Sequence, residues 1–376
     1  MLRNVACTLA LSVLAVMPMS SGAFARPQDD SNEVPPSLLR KLTQGVNITR
    51  WFCYLNDADH EKHFQTYFKS QDYANLKQLG IRYVRLCISP DVILDGDTIR
   101  PKALAAIDKA VDELMGQGLA VIWDLHDNGQ MKLDDPSNDN SRFLNFWINI
   151  AEHYKGAHEN NMVFELVNEP VFLQNPEKWF LLQRATVKAV RAVDRSRTIM
   201  VSSNSWSGID NLAKLPFLPE KNLIYTVHCY DPFFFTHEGA TWAGDAVKPL
   251  KHMPFPSSPE AVAKMIDQIP EASQGLVRDY GAQKYDTAYL VGRLQIAHDW
   301  AAAHHVPILL GEFGAYPLNA LPEDRERWFQ SMRIAIDKLH MRNCLWGYDD
   351  GFGLGRTENS DGSIQLDPVA TRFYAK

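Results

Sequence analysis

The stretch MVFELVNEP, residues 162–170, gives the clearest indication of the fold of this chain. It is a largely apolar run that ends at a proline, which is typical of a short strand buried on both faces of a parallel sheet. Its last residues include Asn168 and Glu169, and burying such polar groups without partners costs about 1–3 kcal/mol each. The run therefore predicts a parallel strand whose carboxyl end carries side chains with a function.

Seven further runs of this kind lie on either side of the stretch. They are GVNIT (45–49), IRYVRLCI (81–88), LAVIWDLH (119–126), TIMVSSN (198–204), LIYTVHCY (223–230), PILLGEF (307–313) and CLWGYDD (344–350). Most are continuously apolar rather than alternating, and segments with helical spacing separate them, which indicates βαβ units. Eight such units predict an α/β fold, a single-domain (β/α)8 TIM barrel.

The helical segments are expected at about 67–79, 101–114, 143–154, 287–303 and 323–339. Asn175 and Pro176 predict the N-cap and the first residue of another helix that reaches Val193. The connection at about 231–285, after the sixth strand, is an insertion, and loops of such length inside compact domains are usually functional. Its first part, DPFFFTHEGATW, contains four aromatic residues, which either contact a substrate or form a hydrophobic mini-core that holds the insertion in place.

Residues 1–25 predict a cleaved signal peptide. Arg3 gives a basic start, residues 5–17 are almost wholly apolar, and Ala23 and Ala25 are small residues at the −3 and −1 positions. Residues 26–39 are polar and contain proline, so we expect a leader there, followed by the barrel domain at 40–376. The chain is expected to be secreted or periplasmic, with no membrane contact after cleavage.

The composition excludes some classes of partner. Hydrophobic residues make up 45% of the chain and charged residues 22%, which is enough apolar material for a sizeable core. The formal net charge is −7, and no run of Lys and Arg marks a nucleic-acid or anionic-membrane partner.

Four cysteines follow the predicted signal peptide, and they permit three full disulfide pairings. They are Cys53, Cys87, Cys229 and Cys344. Their spacing fits no zinc motif, and we expect single buried thiols. If one bridge forms, Cys53 with Cys87 is favoured, because both follow adjacent early strands.

Polar and aromatic side chains collect at the ends of the predicted strands, where barrels carry their functional residues. They are Arg85, His126, Asn168, Glu169, Trp206, His228, Tyr230, Glu312 and Trp346. Glycoside hydrolysis needs two carboxyl groups that flank one bond, with their pKa values driven apart. Arg85 would keep Glu312 ionised, and an apolar or like-charged setting would keep Glu169 protonated. The alternative is a pair of buried, salt-bridged structural glutamates.

From about 40 to 370 the sequence resembles glycoside hydrolase family 5, the cellulase-like barrels of clan A. Asn168-Glu169-Pro170 resembles the family's acid/base motif, and Gly311-Glu312-Phe313-Gly314 resembles its nucleophile motif. Further matches, in the family's order, are the arginine that contacts the nucleophile (Arg85), the histidine that lines the sugar site (His126), the His-x-Tyr whose tyrosine orients the nucleophile (His228 and Tyr230) and the stacking tryptophan of the last strand (Trp346). The resemblance implies that Asn168 hydrogen-bonds the sugar 2-hydroxyl.

The resemblance implies a retaining β-glycosidase with Glu169 as general acid/base and Glu312 as nucleophile. It requires no metal and no organic cofactor. The first reading is a secreted endo-β-1,4-glucanase that acts on a β-linked polysaccharide or oligosaccharide as a monomer. A β-mannanase, an exo-β-glucosidase or an exopolysaccharide hydrolase would use the same residues, and a catalytically silent carbohydrate-binding barrel is the alternative from another class.

Several other residues remain open between a structural role and substrate contact. Glu165 is expected inside the barrel, and Asp349 and Asp350 are expected to be turn residues. Core packing and sugar stacking explain Trp51 and Phe52 equally well. His237 and Glu238 are either a satisfied loop pair or a substrate contact, and the sequence favours neither explanation.

Overall fold

The computed structural model describes residues 33–55, 59–214 and 216–374. Within them, the eight apolar runs form eight parallel strands that close into one barrel, as predicted. The strands are β1 Gln44–Phe52, β2 Tyr83–Ile88, β3 Ala120–Leu125, β4 Met162–Glu165, β5 Thr198–Ser202, β6 Leu223–His228, β7 Ile308–Glu312 and β8 Arg342–Leu345. Each strand pairs with its neighbours in sequence, and β1 pairs with β8 to close the barrel.

Helices connect the strands, as parallel pairing requires. They are α1 Pro36–Lys41, α2 His60–Thr66, α3 Ser70–Gln78, α4 Pro90–Ile93, α5 Pro101–Gly116, α6 Ser141–His153, α7 Pro176–Val193, α8 Asn204–Ser207, α9 Ile209–Leu212, α10 Phe233–Thr236, α11 Pro259–Ala263, α12 Glu271–Ala282, α13 Thr287–His304, α14 Pro322–Lys338 and α15 Pro368–Tyr374. The predicted start of α7 is confirmed, because the Asn175 side chain accepts a hydrogen bond from the backbone N–H of Lys178.

The interior of the barrel is apolar near the amino ends of the strands. Side chains alternate between the interior and the helix layer along each strand. One buried cluster contains Tyr83, Ile122, Val163, Met200, Ile224 and Leu309, together with Val34, Leu38 and Leu42 from before β1. The compact unit begins at Glu33, so the end of the predicted leader covers this apolar end of the barrel. The predicted signal peptide lies outside the described residues.

Two residues further along the strands, the interior becomes polar. These positions hold Asn47, Arg85, Asp124, Glu165, Ser202, Thr226 and Gly311, all of them buried. The large polar side chains come from β1 to β4, and the small residues come from β5 to β7. Charge is therefore concentrated on one side of the barrel interior, directly below the strand ends.

The insertion at 231–285 contains α10, α11 and α12, and its apolar side chains join the main hydrophobic core. Leu250, Met253, Phe255, Val262, Val277 and Tyr280 are buried there. Of the aromatic residues in its first part, Phe235 is buried, whereas Phe233 and Trp242 are 43% and 63% exposed. The mini-core explanation therefore holds for Phe235, and the two exposed rings are free to contact a ligand.

The four cysteines are buried free thiols, as expected, and the alternative Cys53–Cys87 bridge is not formed. Cys53 and Cys87 pack with Trp346 and Phe352 in a small apolar cluster. Burial raises the pKa of the Cys53 thiol to about 12. In the part of the chain that the structure describes, no helix combines the length and apolar character needed to cross a membrane.

Candidate active site

The two predicted carboxylates meet at the carboxyl ends of the strands. Glu312 is the last residue of β7, and Glu169 follows β4. His228, the last residue of β6, lies between them, with Nδ1 2.8 Å from Glu169 Oε1 and 3.4 Å from Glu312 Oε2. One oxygen of each carboxylate lies within 4.8 Å of the other. Barrel closure thus brings together three groups that are far apart in sequence.

Glu169 has an unusual backbone conformation. Its φ is +44°, in the left-handed region that residues other than glycine rarely adopt. Such strain costs about 1–3 kcal/mol and is concentrated at functional sites. The side chain remains 25% exposed, whereas that of Glu312 is 4% exposed. Glu169 therefore faces the open cleft, and Glu312 lies deeper.

Two donors hold the carboxylate of Glu312. Arg85 Nη1 donates to Oε1 over 2.8 Å, and the Tyr230 hydroxyl donates to Oε2 over 2.9 Å. Both hydrogen bonds favour the ionised form, and a charged donor gives the stronger one. The environment of Glu312 therefore fits an anion.

Arg85 is fully buried and serves several acceptors at once. It donates to both oxygens of Glu165 over 2.6 and 2.9 Å, and its Nη2 donates to Asn168 Oδ1 over 2.8 Å. Nη2 also lies 3.2 Å from a carboxylate oxygen of Asp124. One guanidinium is thus shared by the carboxylates of Asp124, Glu165 and Glu312, so the charge of this buried site is not fully neutralised.

His126 links a buried carboxylate to the cleft. Its Nδ1 lies 2.9 Å from Asp124 Oδ2, and its Nε2 lies 2.9 Å from the Tyr54 hydroxyl and 3.2 Å from Asn168 Nδ2. The Trp346 ring stacks on the imidazole, with the ring centroids 5.5 Å apart. Because Arg85 holds Asn168 Oδ1, the amide N–H groups of Asn168 point away from the guanidinium, toward His126.

Burial raises the pKa of both Glu169 and Glu312 to about 7. The predicted separation of the two pKa values is therefore not seen, because burial acts on both groups alike. The two carboxyls differ in their hydrogen-bond partners, because Arg85 and Tyr230 hold Glu312, whereas Glu169 is paired with His228. Since the two carboxyls interact, they titrate as a pair.

Trp206 lies on the outer side of Glu169. Its ring is 51% exposed and borders a cavity of about 280 Å³ that Glu169, Asn168, Asp127 and Phe172 also line. The cavity therefore opens directly beside the partly exposed carboxyl of Glu169. All nine predicted site residues therefore lie in or beside one cleft.

Sequence reasoning missed three residues of the site. Asp124 and Asn47 belong to the polar interior layer, and Asn47 Oδ1 accepts a hydrogen bond from Arg85 Nη1 over 2.8 Å. The alternation of side chains along a strand could have identified both, because each lies two residues beyond an interior position. No sequence signal identified Tyr54, whose hydroxyl contacts His126 and Asn128 from the loop after β1.

Several open assignments are settled as structural. Glu165 lies inside the barrel, as expected, and binds Arg85. Trp51 and Phe52 are buried, so they are core residues and not a stacking platform. Asp349 accepts hydrogen bonds from the backbone N–H groups of Thr49 and Arg50, which ties the loop after β8 to β1.

Glu238 is fully buried in the insertion, where Oε2 accepts a hydrogen bond from the backbone N–H of Met253. Burial raises its pKa to about 8. His237, in contrast, is partly exposed and stacks on Phe233 with the ring centroids 4.2 Å apart. Glu238 is therefore structural, and its pKa has a consequence for stability.

Replacing Glu238 by glutamine is expected to remove a pH-dependent loss of stability. A glutamate in the unfolded chain titrates near about 4.3. The stability that neutral Glu238 contributes is therefore fully present below that pH and is lost as the pH rises through about 8. The free energy of unfolding of Glu238→Gln minus that of the wild type should grow by about 1.4 kcal/mol per unit between about pH 5 and 8.

Urea unfolding at about pH 5 and pH 8 measures this difference. Glu177→Gln, at an exposed position in the first turn of α7, is the matched control. A difference between Glu238→Gln and the wild type that stays constant over this pH range would contradict the buried acid.

Two groups of described residues bring three potential ligand atoms within 4.8 Å of one another, namely Glu169 with His228 and Glu312, and Cys87 with Asp124 and His126. Arg85 lies against both groups, 2.8 Å from Glu312 and 3.2 Å from Asp124. It already supplies positive charge there and would repel a second cation. We therefore assign neither group as a metal site.

Comparison with known proteins gives consistent matches. The family model of cellulases, glycosyl hydrolase family 5, matches residues 47–351. Endoglucanase 3 of Fibrobacter succinogenes is 27% identical over 86% of this chain, which spans only 52% of that relative's length. Endoglucanase C of Acetivibrio thermocellus is 24% identical over 81% of this chain and 90% of its own. The crystal structure of Thermotoga maritima Cel5A with mannotriose is 26% identical and covers 90% of this chain and 100% of its own, with a TM-score of 0.71.

Proposed function

Because this chain belongs to the cellulase family, glycosyl hydrolase family 5, we propose that it is a retaining endo-β-1,4-glucanase with Glu169 as general acid/base and Glu312 as nucleophile. The observation that carries this proposal is the separation of the two carboxylates, which have oxygens within 4.8 Å of each other. Retaining enzymes hold these groups about 5–5.5 Å apart, whereas inverting enzymes leave about 6.5–9.5 Å for a water molecule.

In the first step, Glu312 attacks the anomeric carbon while Glu169 donates its proton to the glycosidic oxygen. The negative charge of Glu312 is available because Arg85 and Tyr230 keep it ionised. Glu169 carries the proton and faces the cavity beside Trp206, where the leaving sugar binds. The products of this step are the released sugar and a glycosyl ester of Glu312.

In the second step, Glu169 is ionised and removes a proton from water, which attacks the anomeric carbon and releases Glu312. Two inversions at one carbon retain the β configuration. Asn168 is positioned for the sugar 2-hydroxyl, because Arg85 fixes its carbonyl oxygen and leaves the amide N–H groups to donate. That hydrogen bond accelerates the reaction to the extent that it strengthens in the transition state.

The substrate class rests on the relatives and on the charge of the site. Two relatives are named endoglucanases, and the carboxylates around Arg85 disfavour an anionic sugar. A β-mannan is the second candidate, because the Thermotoga maritima enzyme that shares this fold has been crystallised with mannotriose. We propose that the predicted signal peptide directs the chain to the periplasm or the exterior, where it acts as a monomer.

Glu169→Ala tests the proposal on a panel of carboxymethyl cellulose, lichenan, mannan, xylan and aryl β-glycosides. We expect the wild type to cut a β-glucan into oligosaccharides and the variant to lose about 10²–10⁴-fold in kcat, because the leaving oxygen is no longer protonated. Aryl glycosides with acidic leaving groups should lose much less in the bond-breaking step, since they depart without a proton.

The pH profile gives a second readout of the same change. In the wild type, kcat/KM should follow a bell, rising as Glu312 ionises and falling as Glu169 loses its proton. The falling limb should disappear in Glu169→Ala. Glu238→Gln, a buried acid in the insertion, is the matched control and should keep the full bell. Normal turnover of polysaccharide by Glu169→Ala would show that another residue is the acid.

A further inference from the structure

The side of the barrel interior below His228 is built from small residues. Ser202 of β5, Thr226 of β6 and Gly311 of β7 occupy the polar layer there, and all three are buried. Ser202 and Thr226 are partners in the register of β5 and β6, so their side chains lie next to each other on the same face. His228 follows Thr226 by two residues and faces the same interior.

Three buried polar atoms of this region have no hydrogen-bond partner within residues 33–55, 59–214 and 216–374, namely Ser202 Oγ, Thr226 Oγ1 and His228 Nε2. Gly311 leaves space for two of them, because a Cβ there would lie 3.1 Å from His228 Nε2 and closer still to Thr226 Oγ1. Each buried polar group without a partner costs about 1–3 kcal/mol. Thr226 Oγ1 and His228 Nε2 both lie beside Gly311, and Ser202 is the register partner of Thr226, so one partner can serve all three groups.

We propose that Ser202, Thr226 and His228 Nε2 bind one ordered water molecule, and that this water fixes the imidazole proton of His228 on Nδ1. Buried waters in proteins typically make about three hydrogen bonds to polar groups that are otherwise unsatisfied. The hydroxyls of Ser202 and Thr226 can each donate or accept, so the water is free to donate to Nε2. Nε2 is then an acceptor, and the ring proton is on Nδ1.

This tautomer determines what His228 does at the proposed active site. Nδ1–H points at Glu169 Oε1 over 2.8 Å and at Glu312 Oε2 over 3.4 Å, so the neutral ring donates to the carboxylate pair. Burial lowers the pKa of His228 to about 4, which keeps the ring uncharged near neutral pH. The charged and titratable groups that act on His228 from neighbouring elements are Arg85, Asp124, His126, Glu169 and Glu312.

Thr226 and Ser202 are therefore positioning residues that act through His228. A donor at Nδ1 stabilises the ionised form of Glu169, and the other tautomer would instead accept a hydrogen bond from the protonated form. Loss of the water should hold Glu169 protonated to higher pH. The falling limb of kcat/KM should then move up by about half to one pH unit, the size expected for one hydrogen bond.

Thr226→Val removes the hydroxyl at nearly constant shape, and Thr226→Ser keeps it. Nitrogen-15 NMR of the histidines reports the tautomer directly, with the His228 signals assigned by their loss in His228→Gln. We expect the Nδ1–H tautomer of His228 in the wild type and in Thr226→Ser, and a large population of the Nε2–H tautomer in Thr226→Val. In Thr226→Val the falling limb of kcat/KM should also move to higher pH. Thr186→Val, which removes a buried hydroxyl from α7, is the matched control and should change neither readout.

Ser202→Ala removes the second hydroxyl that binds the water. This variant serves as the test if Thr226→Val does not fold. An Nε2–H tautomer in the wild type, or an unchanged Nδ1–H in the variants, would overturn the inference. The inference depends on the proposed function only in its prediction of a shifted pH profile of kcat/KM. The NMR result is independent of turnover, so an inactive protein with the expected tautomer would refute the proposed function and not the water site.

Discussion

Glu312→Ala is expected to lower kcat on the best β-glycan by on the order of 10⁴-fold or more, the largest effect of any substitution in this chain. The glycosyl ester cannot form without this carboxylate, and no neighbouring group can replace it. Glu169 is turned toward the leaving group, and Arg85 and Tyr230 are donors. KM should change much less than kcat, because the sugar contacts remain.

A small anion provides a control for this result. Azide fits into the space left by the deleted carboxylate and should restore turnover with an α-glycosyl azide as product, because it attacks the anomeric carbon in a single inversion. In Glu169→Ala the covalent intermediate still forms, so azide should give the β-glycosyl azide. The same azide anomer from both variants would contradict the assignment of the two roles, and Glu238→Gln should give none.

Arg85→Met is expected to cost about 3–5 kcal/mol of stability and to abolish activity. Methionine fills part of the volume, but the carboxylates of Asp124, Glu165 and Glu312 lose the cation that they share. Each then becomes harder to ionise, so the pKa values of Glu165 and Glu312 rise further above those in the unfolded chain, and the pKa of Asp124, which is lowered in the wild type, rises toward its unfolded value. A raised pKa contributes stability at low pH that is lost as the pH rises.

The loss of stability in Arg85→Met should therefore be smaller at about pH 5 than at pH 8, as measured by urea unfolding. Arg197 is the matched control, because it is equally buried but pairs with one carboxylate, Asp194, and with the backbone carbonyls of Tyr154 and Ala157. Arg197→Met should destabilise the chain and leave the bell-shaped profile of the folded enzyme in place. An equal loss at both pH values in Arg85→Met would contradict the shared charge.

The family resemblance seen in the motifs is confirmed by the match to residues 47–351. The fold was predicted from the same segments, since strands buried on both faces have continuously apolar sequences. The site was predicted at the strand ends for a related reason. A polar residue such as Glu312 at the end of the run PILLGE needs a partner, and barrels place such residues at one end.

Other parts of the site could not be predicted in this way. The raised pKa values of Glu165 and Glu312 come from burial among groups contributed by different strands. Tyr54 reaches His126 from a loop whose conformation has no periodic pattern. The packing of Leu38 against the barrel was hidden by the polar character of the residues before it.

The sequence by itself determined the eight strands, the first turn of α7 and most of the residues that meet in the cleft. These depend on the spacing of apolar and polar side chains between near neighbours, and that spacing can be read locally. Only the tertiary structure decided which groups share Arg85, that Thr226 and His228 lie beside Gly311, and that Ser202 lies next to Thr226. Arg85 and Glu312 are 227 residues apart in the sequence. Barrel closure and strand register bring their side chains together, and neither can be read from a short stretch of the chain.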